Sequence, residues 1–148
     1  MKTFDQLVAE TAELITELMP WDLEEKLKNN ESLLLVDVRE ADEFNAMHIA
    51  NSINIPRGIL EAASEAGYDE TDQELSVARE KNVVLVCRSG KRSCMAAYTL
   101  MQLGFKHTSS LKTGLRGWND YDQPMVDQHK QDVDGDYAEE YLRPKQVS

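Results

Sequence analysis

Two short apolar runs constrain the fold of this chain more than any other feature. Residues 33–38 read LLLVDV and residues 82–87 read NVVLVC, and neither run alternates with polar residues. An uninterrupted apolar strand is typical of a parallel sheet that helices cover on both faces. Helical patterns such as EADEFNAM and RSCMAAYTLMQL lie between and after the runs. The sequence therefore predicts an α/β fold, an open parallel sheet of about five strands with helices on both faces.

The remaining segments complete the predicted order of elements. The segments WDLEEKLKNN, GILEAASEA and DQELSVARE have helical patterns, GLRGWNDY is a final turn or helix, and SINIP and HTSSL are predicted short strands. Residues 92–103 are a predicted helix that Gly104 ends, with Phe105 packing back on Leu100. We expect this main domain to span residues 20–126.

Both ends of the chain carry additions to that domain. Thr3 and Gln6 resemble a capping box, so we predict an amphipathic N-terminal helix within residues 1–19. The helix packs on the domain or binds a partner or a second copy, and the pattern leaves both readings open. From about Asp127 the chain becomes polar and acidic. We therefore expect residues 127–148 to form a loosely held tail.

Charge and cysteine content limit the partners. The net charge of the 148 residues is -11, which opposes binding to nucleic acid and to anionic membranes, so we expect neither as a partner. Two cysteines form no disulfide framework and suit a reducing compartment. No apolar run of about 18 residues is present, and the N-terminal stretch does not read as a signal peptide. These features predict a cytoplasmic protein without a membrane span.

The segment after the second strand is predicted to carry the chemistry. Cys87 ends the apolar run, and the loop and helix start that follow comprise Arg88, Ser89, Gly90, Lys91, Arg92 and Ser93. Ligands of open parallel sheets bind at the carboxyl ends of the strands, and a helix start presents unpaired amides to them. A glycine that permits the loop to curl and three nearby cations favour a thiolate, the nucleophilic form of cysteine. The alternative, an inert buried cysteine, does not require this surrounding charge.

Cys94 is the second thiol and lies near the start of the following helix. It is either a packed, inert side chain or a resolving thiol that attacks a modified Cys87. The aspartates at 132, 134 and 136 lack the glycine and glutamate spacing of an EF-hand, so we expect no calcium site there. We predict no other metal site and no cofactor.

Three segments together identify a family resemblance. CRSGKRS resembles the active-site loop of rhodanese-domain sulfurtransferases, LLLVDVREADEF with HIANSINIP resembles the first signature of that family, and LKTGLRGW resembles its final glycine-rich turn. The resemblance covers roughly residues 20–125. The family usually has glycine where Met47, Asn51 and Thr113 stand here. These three departures put the local turns in question and leave the Cys87 site unaffected.

The resemblance implies a reaction. Cys87 would take the outer sulfur of thiosulfate or a related anionic donor, and a thiol or cyanide would then remove it, in the double-displacement scheme of covalent catalysis. Arg88, Lys91 and Arg92 would bind the donor. A persulfide carrier in a sulfur-relay pathway, or a redox-sensing partner-binding module, needs the same loop and remains an alternative. Cysteine-dependent phosphatases and arsenate reductases are the rival enzymes, but their loop places arginine one residue later than Arg92.

Five further side chains receive roles through the resemblance or their position. Asp37 and Arg39 would brace the loop structurally, and Arg57 would assist substrate binding or lie on the surface. His48 is expected to be structural because an ionised thiol needs no base, and Trp118 is expected in the core.

Overall fold

The computed structural model describes residues 1–145 and contains an all-parallel sheet with helices on both sides. The strands are β1 (Thr16–Leu18), β2 (Leu33–Asp37), β3 (Ile53–Asn54), β4 (Asn82–Val86) and β5 (His107–Leu111), arranged in the order β1-β5-β4-β2-β3. The helices are α1 (Phe4–Ala12), α2 (Pro20–Lys28), α3 (Ala41–Ala46), α4 (Leu60–Ala63), α5 (Lys91–Gln102), α6 (Gly114–Asp120) and α7 (Gly135–Leu142). Every strand pairing is parallel. The predicted α/β architecture is confirmed.

The unbroken apolar run of β4 serves two core layers. Val83, Leu85 and Cys87 belong to the layer that contains residues of α4 and α5. Val84 and Val86 belong to the opposite layer, which contains residues of α2, α6 and α7. Because successive side chains of a strand point to opposite faces, a strand buried on both faces has no polar positions to alternate. Cys87 emerges at the carboxyl end of this strand.

Helix α5 begins and ends at glycines in the left-handed region. Gly90 has φ 91° before the first turn, and Gly104 has φ 93° after the last one. The Phe105 amide donates to the Leu100 carbonyl at 3.0 Å, and both side chains are buried in the same layer. This is the predicted C-terminal cap, and it is confirmed.

The predicted helix over residues 1–19 is wrong in its second half. Helix α1 starts at the expected capping box of Thr3 and Gln6 but ends at Ala12. Thr16–Leu18 instead form β1, whose backbone pairs with β5. The apolar spacing continued through this segment, but pairing with a strand more than 90 residues away overrides a local helical pattern.

The expectation of a loosely held acidic tail is also wrong for residues 135–142. Ala138 and Leu142 lie on one face of α7 and are each 1% exposed in the core layer of α6. The Asp134 carboxylate caps the helix by accepting from the Tyr137 amide at 3.2 Å. The last three residues of the predicted tail, 146–148, lie outside the described residues.

One further helix prediction fails, and the helices show no membrane span. The segment DQELSVARE forms only a 3₁₀ turn at Leu75–Val77, where the Asp72 carboxylate accepts from the Glu74 and Leu75 amides. Asx turns of this kind compete with helix formation. Across residues 1–145, every helix is too short or too polar to cross a lipid bilayer.

Candidate active site

The Cys87 sulfur lies inside the predicted curl of backbone amides. Its residue is 1% exposed, and the amides of Gly90 and Ser93 donate to Sγ at 3.1 and 3.3 Å. The curl requires glycine at position 90, since a Cβ there would lie 3.0 Å from the Thr113 nitrogen and 3.2 Å from the Leu111 oxygen. Two amide dipoles aimed at one atom stabilise negative charge on that atom.

A hydroxyl pair adds to the surroundings of the sulfur. Ser93 Oγ lies 3.3 Å from Cys87 Sγ and 2.8 Å from Ser110 Oγ. Ser93 and Ser110 are both fully buried. Ser93 is a predicted loop residue, whereas Ser110 is not among the predicted site residues. The available signal was a pair of serines inside the predicted strand HTSSL.

The loop is anchored from behind by the start of α6. The Leu115 and Arg116 amides donate to the Cys87 and Arg88 carbonyls at 2.9 and 3.1 Å. Gly114 has φ 60°, and a Cβ at this position would lie 2.5 Å from the Arg88 carbonyl carbon. The first turn of α6 therefore fixes the backbone that carries the thiol.

The three residues that replace the usual glycines of the family differ in backbone conformation. Asn51 has φ 69°, as its tolerance of the left-handed region predicts. Met47 has an extended backbone with φ -167°, which any residue adopts. Thr113 has φ 67° despite its branched side chain. A left-handed β-branched residue costs about 1–3 kcal/mol, so Thr113 holds local strain next to the loop.

Arg88 extends from the loop to the end of α7. Its Nε donates to the Leu142 carbonyl at 3.1 Å, and its Nη2 donates to the carbonyls of Tyr141, at 3.2 Å, and Arg143. The last carbonyls of a helix have no partners within the helix and carry the negative end of its dipole. The guanidinium group of Arg88 therefore caps α7.

Arg92 and Lys91 are engaged with carboxylates on two other helices. Arg92 makes a bidentate pair with Glu43 of α3, at 2.9 and 3.0 Å. This hydrogen bonding raises the pKa of Arg92 and lowers that of Glu43, and the Cys87 charge contributes further to the rise at Arg92. Lys91 pairs with Asp5 of α1 at 2.6 Å in an exposed contact. Each cation predicted around the thiol thus has a partner that the local sequence does not indicate.

Asp37 and Arg39, the predicted supporting pair, are both buried. Arg39 donates to both carboxylate oxygens of Asp37, through Nε at 3.0 Å and Nη2 at 2.8 Å, and both side chains are at most 1% exposed. Arg39 Nη2 also donates to the Met47 carbonyl at 2.6 Å. The Asn54 amide donates to the carbonyls of Asp37 and Arg39. These bonds tie together the ends of β2 and β3 and the segment after α3.

Arg57, His48 and Trp118 make contacts outside the loop. Arg57 donates to Glu61 at 3.0 Å and to Thr99 at 2.9 Å, so its guanidinium lies between α4 and α5. The His48 ring stacks on Phe44 with centroids 3.8 Å apart, and its Nδ1 donates to the Phe44 carbonyl. Trp118 is 2% exposed and donates to the Pro124 carbonyl at 3.0 Å. Ser89 is half-buried in the loop.

Cys94 faces α1 and not the loop amides. Its Sγ lies 3.8 Å from the Val8 carbonyl oxygen, and the residue is fully buried. Burial raises the pKa of its thiol to about 11, with smaller contributions from Glu17 and Cys87. At neutral pH this side chain is a neutral thiol, the poorly nucleophilic form.

Comparison with known proteins places this chain in a family. The rhodanese-like domain pattern matches residues 19–121. A Schizosaccharomyces pombe protein named "Putative thiosulfate sulfurtransferase, mitochondrial" is 34% identical over 103 residues, which span 68% of this chain and 72% of that protein. A Bacillus subtilis protein named "Putative sulfur carrier protein YrkF" is 33% identical over 110 residues, 74% of this chain and 54% of that protein. The match thus spans about half of the Bacillus protein.

A solved structure gives the same result. The crystal structure of a rhodanese-related protein from Thermoplasma volcanium superimposes with a TM-score of 0.61 at 30% identity. The superposition covers 75% of this chain and 97% of that one. The fold, the cysteine loop and these similarities agree, and the chain belongs to the rhodanese-like domain family.

Proposed function

We propose that this protein is a sulfurtransferase that carries a sulfur atom as a persulfide on Cys87. The observation that supports this function best is the convergence of the Gly90 and Ser93 amides on the Cys87 sulfur. The same donors that stabilise a thiolate also stabilise a persulfide anion, because both place one negative charge on sulfur in this curl.

The reaction proceeds in two displacements. The Cys87 thiolate attacks the outer sulfur of thiosulfate, a new sulfur–sulfur bond forms, and sulfite leaves with the electron pair of the broken bond. The product is the Cys87 persulfide anion, so the total charge of -3 (one unit on the thiolate, two on thiosulfate) is unchanged. An acceptor thiolate or cyanide then attacks the outer sulfur, and Cys87 leaves as the thiolate. The scheme needs no cofactor.

The loop cations contribute to donor binding to different degrees. Arg88 keeps its full charge because its partners are neutral carbonyls, and Lys91 is held only by an exposed ion pair, which is weak. Arg92 is paired through two hydrogen bonds and is the least available of the three. Arg88 and Lys91 therefore attract an anionic donor, and Arg92 mainly supports the loop.

A protein-to-protein sulfur carrier is the second candidate. The similarity to the Bacillus protein named as a sulfur carrier favours it. It uses the same persulfide and differs in the donor and the acceptor, which would then be partner proteins. A phosphatase or arsenate reductase is less well supported, because the fifth residue past Cys87 is followed by Ser93 where those loops have arginine.

Intact-mass spectrometry after incubation with thiosulfate tests the proposal. The wild-type protein is expected to gain the mass of one sulfur atom and to lose it on addition of cyanide. Cys87→Ser is expected to gain nothing, whereas the matched control Cys94→Ser gains the same mass as wild type. A protein that gains sulfur only from a persulfidated cysteine desulfurase would be the carrier. Equal labelling of Cys87→Ser, or turnover of p-nitrophenyl phosphate without any sulfur gain, would contradict both candidates.

A further inference from the structure

Ser110 carries a fully buried hydroxyl group that contacts Ser93 of the cysteine loop. Ser110 belongs to β5, pairs in register with Leu85 of the neighbouring β4, and has 0% exposure. Leu85 and Cys87 belong to one apolar core layer. A hydroxyl in such surroundings is costly unless it forms hydrogen bonds. Within residues 1–145, the side chain of Ser110 has one hydrogen-bond partner, Ser93 Oγ at 2.8 Å.

We propose that Ser110 is a positioning residue for the Cys87 sulfur, acting through the hydroxyl of Ser93. The three side chains form a buried row in which Ser110 Oγ lies 2.8 Å from Ser93 Oγ, and Ser93 Oγ lies 3.3 Å from Cys87 Sγ. The effect on the thiolate depends on this geometry alone. Its extension to the persulfide rests on the proposed function.

Proton accounting gives the row a direction. Each serine hydroxyl has one proton to donate. When Cys87 is a thiolate, its sulfur only accepts, so Ser93 donates to the sulfur and its oxygen accepts from Ser110. When Cys87 is a neutral thiol, the row reverses, because the S–H donates to Ser93 and Ser93 donates to Ser110. Only the Cys87 proton leaves the row, and no bond between heavy atoms changes.

Ser110 thus fixes the orientation of Ser93 that the anionic sulfur needs. Without Ser110, the Ser93 oxygen would lose its partner on the side of β5 and would keep only its contact with the Cys87 sulfur. Hydrogen bonds in a chain polarise one another, so a donor behind Ser93 strengthens the bond that Ser93 makes. The loop amides remain in place in either case, so Ser110 adjusts the stability of the anion and does not create it.

The charged groups near the sulfur lie apart from this row. The titratable groups coupled to Cys87 by charge are Arg92 and the neutral thiol Cys94, both on α5. The other charged side chains of the loop and its neighbours are Asp37 at the end of β2, Arg39 just after it, Glu43 on α3, Arg88 in the loop and Lys91 at the start of α5. The described hydrogen bonds of the Ser110 hydroxyl involve none of them. Replacing Ser110 therefore leaves these charges unchanged, and a change in Cys87 reactivity would report on the hydroxyl row.

The test compares Ser110→Ala with Ser109→Ala. Both changes remove one buried serine oxygen from adjacent positions of β5, but Ser109 lines a cleft with Leu18, Leu33 and Val84 on the opposite face of the sheet. Iodoacetamide modification of Cys87 is followed by peptide mass mapping between pH 5 and 10. Ser110→Ala is expected to react about twofold more slowly at pH 7, with a pH profile displaced to higher pH, because the hydrogen bond from Ser93 to the thiolate is weakened and not lost. Ser109→Ala is expected to react as wild type does.

Repeating the Ser110→Ala change in a Ser93→Ala protein separates a positioning effect from a general loss of structure. In Ser93→Ala the row is already broken, so adding Ser110→Ala should slow the reaction no further, and thermal unfolding should show that all variants are folded. Unchanged Cys87 reactivity in Ser110→Ala, or an equal loss in both backgrounds, would overturn the inference.

The proposed function is tested by a different measurement, the gain of sulfur mass. Wild-type protein that gains no sulfur would reject the function while the alkylation comparison still decides the role of Ser110.

Discussion

Among the side chains around Cys87, Arg92 is held in place by a carboxylate of another helix. Arg92 and Glu43 form a bidentate ion pair beside the sulfur, with side chains 35% and 20% exposed. Partly buried pairs of this geometry are stronger than exposed ones, because water screens them less. The pair therefore has a structural role as well as a place in the electrostatics of the loop.

Glu43→Gln should show that role through pH. The folded-state pKa of Glu43 is lowered by its hydrogen bond from Arg92, so its contribution to stability is present above the ordinary glutamate pKa of about 4.3 and is lost as pH falls through the lower folded value. Urea unfolding at pH 7 should find the variant less stable by about 1 kcal/mol, and at pH 3 the difference should shrink toward zero.

Glu10→Gln, which removes the exposed Lys2–Glu10 pair, provides the matched control and should change stability little at either pH. A difference at Glu43 that is as large at pH 3 as at pH 7 would contradict this account.

The chemistry of individual residues was only partly predictable from the sequence. Cys87, its glycine and its basic neighbours are contiguous, so local pattern and known physics were enough to find them. Their partners were not contiguous: Glu43 is 49 residues from Arg92, and Ser110 is 17 residues from Ser93. Such contacts exist only after the sheet has formed, and no local pattern encodes them.

Among the secondary-structure elements, α7 differs most from its predicted form. It was interpreted as acidic tail because its charged residues dominate the composition, whereas two small apolar contacts, Ala138 and Leu142, determine its position. Elements with strong local signals, such as β4 and α5, were predicted correctly. Elements fixed by distant partners, such as β1 and α7, were not.

Leu142→Ala tests whether α7 belongs to the cooperative fold. Leu142 is 1% exposed in the core layer with Leu115 and Trp118. Replacing a buried leucine by alanine costs about 2–5 kcal/mol, so the midpoint of urea unfolding should fall markedly.

Tyr137→Ala is the matched comparison on the same helix. Tyr137 is 55% exposed, and its replacement should have a much smaller effect. Leu142→Ala with wild-type stability would show that α7 unfolds independently of the sheet.

The molecule as a whole is strongly acidic, with a net charge of -11, while its reaction centre is locally basic. The net negative charge of the protein repels an anionic donor, whereas the basic loop attracts it. Two of the three loop cations are paired with carboxylates, which reduces the local positive charge. At distances beyond the loop, we therefore expect repulsion of thiosulfate to dominate.

Salt should consequently accelerate the reaction with thiosulfate. Raising ionic strength from about 0.01 M to 0.15 M shortens the screening length from about 30 to about 8 Å, which weakens the long-range repulsion more than the short-range attraction. We expect kcat/KM for thiosulfate to rise about twofold to fivefold, measured as sulfite release.

An uncharged alkylating reagent acting on Cys87 provides the reference and should respond little. A fall in kcat/KM with salt would show that the local cations govern donor approach.

Arg88 is hydrogen-bonded to carbonyls at the end of α7, and Lys91 is paired with Asp5 of α1. These two contacts have a practical consequence for work on this protein. Both helices lie outside the segment shared with the family, residues 19–121. A shortened version cut to those limits would retain the thiol and its amides, yet two guanidinium or ammonium groups would be released into water. Assays on such a version would describe a more basic and more open entrance than the one in which both helices are present.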